Sequence, residues 1–308
     1  MDGVICIDKQ PGMTSHDVVA QARRMLNQRR VGHAGTLDPF ATGLLVVLVG
    51  RATRLTQFLT GLEKEYEAVI RLGFATDTAD RTGTPISEVA SRQERSAEQI
   101  EEALATLRDE IDQVPPMYSA KKQGGRKLYE LARKGAEVQR APVRVCIHEF
   151  EPLKRKGEWK SNLDGTVDFE VRVVCSSGTY IRTLAEDFGK QLKVGAHLAE
   201  LRRTRVGDFT VGEALTLGQL KTMAAEEAIG RALYTPDDAL RRLPAIDVSE
   251  EDVRRIRHGL KLEISDPKWI DGERVRIRDT TRHLIAVGTF ELETATLHPS
   301  VVLSVEDQ

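Results

Sequence analysis

The stretch from Val31 to Val49 limits this chain more than any other. Gly32-His33-Ala34-Gly35-Thr36-Leu37-Asp38-Pro39-Phe40 is followed by Ala41-Thr42-Gly43 and then by the unbroken apolar run Leu44 to Val49. Such a run is long enough for a strand buried on both faces. Pro39 fixes its own φ and biases Asp38 out of the helical region. Gly35 and Gly43 can take conformations closed to other residues, or admit a close approach to the backbone. The loop therefore presents one carboxylate at the mouth of a core strand. An isolated Asp-Pro is most often a turn cap, so the weight on Asp38 depends on its company.

Before this loop, Val4 to Ile7 reads as a short buried strand and Lys9 to Ser15 as a turn. Thr14 or Ser15 is placed to cap a helix whose apolar stripe is Val18, Val19, Ala22, Met25 and Leu26. After it, Arg51 to Leu59 reads as a helix. Lys64 to Leu72 alternates as a half-buried strand, with Tyr66, Ala68, Ile70 and Leu72 on one face. Gly73 to Gly83 is a polar loop, and Ser96 with Gln99 forms a capping box opening a helix through Leu107. The prolines of Gln113 to Lys122 exclude regular structure there, whereas Gly125 to Lys134 has a helical rhythm. Val143 to Phe150 and Val167 to Cys175 are strands, and Ser176 to Arg182 turns into a helix ending near Leu192. An amphipathic piece from Ala196 to Arg203 precedes Val206 to Phe209. From about Leu243 short strand-like runs (Arg274 to Ile277, Leu284 to Gly288, Val301 to Val305) replace long helices, the pattern of a small appended β domain.

Composition enters mainly by what it removes. With 40% hydrophobic and 30% charged residues the chain is ordinary globular material, and 308 residues suggest about two domains. The three cysteines, Cys6, Cys146 and Cys175, are odd in number and set in apolar runs, as buried thiols of a reducing compartment would be. The first residues lack the basic region of a signal peptide, and no run approaches a membrane span, so a cytoplasmic protein is expected. There is no clustered His/Cys pattern for a metal, no phosphate-binding loop, no dinucleotide fingerprint and no nucleophile elbow. The net charge of −2 hides segregation. Lys121, Lys122, Arg126, Lys127, Arg133, Lys134, Arg140 and Arg144 face only Glu130 and Glu137, a local basic patch suited to phosphates.

Carboxylate chemistry is what remains. His33 shares the loop with Asp38, Tyr66 is close in sequence, and Gly178-Thr179-Tyr180-Ile181-Arg182 offers an aromatic and a guanidinium. An aspartate held beside a fixed arginine is expected to have a lowered pKa and to act as nucleophile or base. Two tyrosines can sandwich a flat substrate.

At these residues the chain resembles the bacterial tRNA pseudouridine-55 synthase family. The resemblance runs from Asp8-Lys9-Gln10-Pro11-Gly12 and Thr14-Ser15-His16-Asp17, through the Asp38 loop, Lys64-Glu65-Tyr66, Arg71-Leu72-Gly73 with Thr76-Asp77-Thr78, and Gln113-Val114-Pro115-Pro116 with Tyr118 to Lys122. It continues through Gly178 to Arg182 and reaches Val206-Gly207. It implies an α+β fold: a mixed, mostly antiparallel sheet flanked by helices, with a small C-terminal β-barrel-like domain. The division implied is 1–242 for the catalytic domain, with an RNA-contacting insertion at about 113–144, and 243–308 for a PUA-like domain.

By the same resemblance Asp38 is the nucleophilic aspartate and Arg182 its partner. Tyr66 stacks on the target uracil and acts near its C5. Tyr180 and Leu201 line the base pocket, and His33 fills the gap left by the extruded nucleotide. Lys64, Lys121, Lys122 and Arg126 complete the expected substrate contacts. The implied partner is tRNA, through its T-loop and stem, with no cofactor, metal, membrane or obligatory protein partner, and with a monomer as the working unit. Two other readings remain: a non-catalytic RNA-binding or tRNA-folding protein, and a glycosidase, which would need a second acid at a defined separation.

Overall fold

The computed structural model describes residues 1–86, 88–89, 95–119, 121–123, 126–128, 138–154 and 159–303. Among these, the N-terminal part of the chain, from residue 3 to residue 210, is built on one large sheet. Its strands are β1 (Gly3–Lys9), β2 (Val31–Ala34), β3 (Thr42–Val49), β4 (Lys64–Leu72), β5 (Asp109–Gln113), β8 (Val143–Pro152), β9 (Lys160–Ser161), β10 (Val167–Cys175), β11 (Ala196–Val206) and β12 (Phe209–Thr210). A separate two-stranded ribbon, β6 (Lys122–Gln123) with β7 (Arg126–Lys127), lies between β5 and β8 in the chain. The main path runs β1-β3-β11-β4-β10-β8-β5. All its pairings are antiparallel except β3 with β11, which are parallel and meet only at Arg202↔Thr42 and Arg203↔Gly43.

The sequence explains the layers. From Gly43 to Val49, β3 is buried at every residue, because helices and loops cover both faces of the sheet there. β4 instead alternates: Tyr66, Ala68, Ile70 and Leu72 are buried while Glu67 is exposed, as its period-two pattern requires. The helix Ser15–Met25 starts at Thr14, whose hydroxyl accepts from the Asp17 amide while Asp17 caps Thr14 in return. Ser96 and Gln99 form the same box ahead of the helix Ala97–Ala105. The helix Ile181–Gln191 follows directly on Gly178, whose φ of +87° makes the turn out of β10. It packs Phe188 against Phe169 and Phe150, with ring centroids 5.3 and 5.7 Å apart.

Some boundaries differ from expectation. Arg51 to Leu59 is a 3-10 turn, Gly50–Leu55, leading into a short α-helix, Thr56–Thr60. The amphipathic piece at Ala196 is continuous with the Val206 segment and forms the single long strand β11. Most of the Gly125 to Lys134 segment, for which a helix was expected, lies outside the described residues.

The C-terminal part is a five-stranded sheet in the order β13 (Ala245–Asp247), β15 (Arg274–Arg278), β16 (Leu284–Glu291), β17 (Thr296–Val302), β14 (Leu262–Glu263). The helix Glu250–Arg257 covers one face through Val253 and Ile256. Leu284, Val287, Val301 and Leu303 pack outward into one cluster with Val4, Val46, Leu48, Leu55 and Phe58 of the larger body. The fold is thus α+β, a mixed and mostly antiparallel sheet flanked by helices with a smaller β sheet attached. No helix among the described residues is long and apolar enough to cross a membrane.

Candidate active site

β2 and β3 form an antiparallel pair from Val31↔Val49 to Ala34↔Val46, so the chain between them must return in a tight excursion carrying Asp38. Gly35 and Gly43, at φ of +96° and +95°, make its two ends. Polar groups from beneath pin the excursion. Ser15 Oγ donates to the Leu37 carbonyl and accepts from the Leu37 amide, at 3.2 and 2.9 Å. The Pro39 carbonyl takes the Gly12 amide at 2.8 Å and the Lys9 ammonium at 3.3 Å. Lys9 is fully buried and also donates to the carbonyls of Gln10 and Met13. Removal from water brings the Lys9 ammonium down to about 8.

The Asp38 carboxylate meets Arg182, from the first turn of the helix Ile181–Gln191, in a two-point pair. Nε lies 2.9 Å from Oδ2 and Nη2 lies 3.2 Å from Oδ1. The Arg182 side chain is only 5% exposed, that of Asp38 31%, so the guanidinium forms the wall and the carboxylate faces outward. Three further acceptors hold Arg182: the Tyr118 carbonyl at 2.8 Å, the Thr78 carbonyl at 3.4 Å and the Asp80 carboxylate at 3.7 Å. Asp80 is itself saturated by the Thr78 hydroxyl and by the amide and hydroxyl of Thr82.

This environment corrects one expectation. The Asp38 carboxyl is raised above its ordinary pKa, not lowered. Burial is the largest influence and pushes it up, Arg182 pulls it down, and the second carboxylate, Asp80, pushes it up again.

Tyr66 is 8% exposed and shares one apolar cluster with Leu37, Phe40, Ala41 and Leu201. Burial raises its phenol, against the pull of the adjacent Arg203 guanidinium. Leu201 is on β11, opposite Ala68 of β4. Where β3 and β11 part, a groove of about 480 Å³ opens. Phe40, Thr42, Ala68, Arg81, Leu201 and Arg202 line it, together with the acidic Glu67, Glu170 and Glu200. Tyr180 is half-buried, its amide donating to Gln113 Oε1 at 3.0 Å and its carbonyl accepting from Gln113 Nε2 at 3.4 Å. His33 stands edge-on to His16, centroids 5.6 Å apart. Burial lowers its imidazole to about 4, and its Nδ1 is enclosed without a hydrogen-bond partner.

Asp38, Arg182, Tyr66 and Leu201 are therefore gathered around one loop. Lys64 is 6% exposed, and its ammonium donates at 2.5 Å to the carbonyls of both Thr60 and Leu62. Lys121 is exposed, whereas the side chains of Lys122 and Arg126 lie outside those described. Of the remaining basic patch, Arg144 pairs with Glu110 and Asp112 and Arg140 donates to the Pro115 carbonyl.

Sequence reasoning missed the supports: Lys9, Asp80, Gln113 and Arg203. The Thr76-Asp77-Thr78-Ala79-Asp80 run was a usable signal, because hydroxyls crowded about an aspartate are what a buried carboxylate needs.

The chain is similar to several known proteins. A family model described as "TruB family pseudouridylate synthase (N terminal domain)" matches residues 23–181. A second, "tRNA pseudouridylate synthase B C-terminal domain", matches 182–250. The tRNA pseudouridine synthase B of Solibacter usitatus is 43% identical over 304 residues, covering 98% of this chain and 100% of that protein. Its namesake from Mycobacterium sp. (strain KMS) is 48% identical over 271 residues, covering 88% and 86%. Among solved structures, the chain is similar to one in the archaeal box H/ACA sRNP Nop10-Cbf5 complex, with a TM-score of 0.72 and 28% identity, covering 99% of this chain and 87% of that one. It is likewise similar, at a TM-score of 0.73 and 27% identity, to a chain of an H/ACA RNP bound to a substrate RNA containing 2′-deoxyuridine, covering 99% and 86%.

Proposed function

The chain belongs to the TruB family of pseudouridylate synthases, and from that premise we propose that it isomerises a uridine of tRNA, the T-loop uridine at position 55, with Asp38 as the reacting group. The observation that carries this reading is the pairing of a partly exposed carboxylate with a buried, fully bonded guanidinium beside an aromatic side chain. Binding alone has no use for a carboxylate aimed toward a polyanion.

Isomerisation requires uracil to leave the ribose through N1, turn, and rejoin through C5. Those atoms are inaccessible in a folded loop, so the nucleotide must be extruded, at a cost of a few kcal/mol. Stacking against an aromatic returns about 1–3 kcal/mol per base. Tyr66 and Leu201 supply the apolar surface, while Tyr180, fixed by Gln113, closes the side of the site nearest the helix Ile181–Gln191. The ionised Asp38 carboxylate can attack C6 or C1′, or take the proton at C2′. Each path begins from the same oxygen, and Arg182 favours its anionic form and aims it. His33, uncharged at neutral pH, fills space vacated by the base. Exposed Lys121 contacts phosphate. The chain works on tRNA in the cytoplasm as a monomer, with the C-terminal sheet as a second RNA-contacting surface and no resident cofactor.

The test is the isosteric variant Asp38→Asn on a uridine-labelled tRNA transcript. Affinity for tRNA is expected to stay within about threefold, while pseudouridine formation falls by more than about 10³-fold, as for loss of a reacting group. Turnover retained in this variant overturns the assignment. Absence of pseudouridine with the unaltered chain, despite tRNA binding, would instead favour a non-catalytic RNA-binding protein.

A further inference from the structure

Arg203 is 1% exposed, yet it forms no ion pair with a carboxylate among the described residues. Burying a guanidinium without a counter-charge is strongly unfavourable unless its donors are bonded. Here they are bonded to the backbone on either side of Asp38. Nη2 donates to the Gly35 carbonyl at 3.0 Å and Nη1 to the Thr36 carbonyl at 3.5 Å, both ahead of Asp38. Nε donates to the Leu44 carbonyl at 2.7 Å, beyond it. The same guanidinium acts on the Tyr66 phenol, opposing the effect of burial on it.

The backbone repeats this arrangement. Arg203 lies opposite Tyr66 in the β4–β11 register and opposite Gly43 in the two-residue β3–β11 contact. One residue therefore joins the strand that carries Tyr66 to both ends of the loop that carries Asp38. A planar fork with five donors can do this; an ammonium, with its donors on a single atom, cannot reach the same set.

We infer that Arg203 is a positioning residue for the isomerisation: it sets the Tyr66 ring at a fixed distance and angle from the Asp38 carboxylate. The inference rests on the assignment of Asp38 and Tyr66 made above. If the unaltered chain makes no pseudouridine, that assignment fails. If the unaltered chain is active and the following results are not obtained, the inference alone fails.

The decisive experiment is a double-mutant cycle between Arg203→Lys and Tyr66→Phe, with kcat and KM for tRNA measured for each variant. Misplacement by an ångström can cost about 10²-fold, so Arg203→Lys is expected to lower kcat by about that factor with KM within about threefold. In a Tyr66→Phe background the same change is expected to cost less than about threefold more, because the geometry it sets has already lost its partner. Losses that multiply, or a raised KM at unchanged kcat, overturn the inference and leave Arg203 a packing residue. Should Arg203→Lys fail to fold, Tyr66→Phe decides alone. Lowered kcat at unchanged KM supports coupling through the phenol, and unchanged turnover overturns it.

Discussion

Asp38 sits in a place that resists charge. Burial and Asp80 favour the protonated form, while Arg182 favours the anion, and the balance lies above the ordinary carboxylate value. The sign of the consequence is fixed. Between the unfolded and folded pKa values the folded chain binds more protons than the unfolded one, so stability falls as pH rises through that window. The anion that the proposed reaction needs, meanwhile, appears only above the folded value. The acid limb of kcat/KM is therefore expected to lie above about 3.9, the unperturbed aspartate pKa; a pH-rate profile flat down to that value would contradict the environment described. Asp38, Tyr66 and Arg182 were legible in the sequence because each sits in a motif with its own turn residues. Lys9, Asp80, Gln113 and Arg203 were not. A polar residue that will be buried is indistinguishable from a surface one until its partners arrive, and the partners of Lys9 and Arg203 are main-chain carbonyls, which every sequence has.

At the level of elements, β11 is the strand on which the site depends and the one that pattern reading assigned worst. Its Arg202 pairs with Asp8, and Arg205 with Glu63 and Glu65. These charges, together with bulges near Glu200 and Arg205, disrupt the alternation by which β4 was recognised. Conversely, β3 was plain because both its faces are covered. The joint between β3 and β11 makes a sharp prediction. A Cβ on Gly43 would lie 2.3 Å from the Arg203 carbonyl oxygen, on a backbone at φ of +95°. Gly43→Ala must therefore part the strands or strain the loop. Overpacking of this kind costs about 1–3 kcal/mol, and a loss of that size is expected in denaturant unfolding, with a larger loss of kcat than of tRNA affinity. A variant as stable and active as the parent would show that the close approach is not required.

At the scale of the whole molecule, the two larger sheets share one apolar cluster. Leu284, Val287, Val301 and Leu303 share a cluster with Val4, Leu48 and Phe58. Arg54 Nη1 donates to the Val302 carbonyl at 2.5 Å, and the Arg274 guanidinium stands 4.9 Å from the centre of the Phe58 ring. Arg276 bonds Asp237 at 2.7 Å and the Leu243 carbonyl at 3.0 Å. Separating the sheets would expose this surface at about 25 cal/mol per Å². A single calorimetric transition is expected, and two resolved transitions would show the sheets to be independent. Sequence composition marked the change of character near Leu243, but not this joint, because which face of a strand is shared is settled only by packing. Apolar and polar contacts together therefore tie the second sheet to the first. On the function proposed above, an RNA that seated one nucleotide at the loop and also lay along the second sheet would have to supply the bending between them itself.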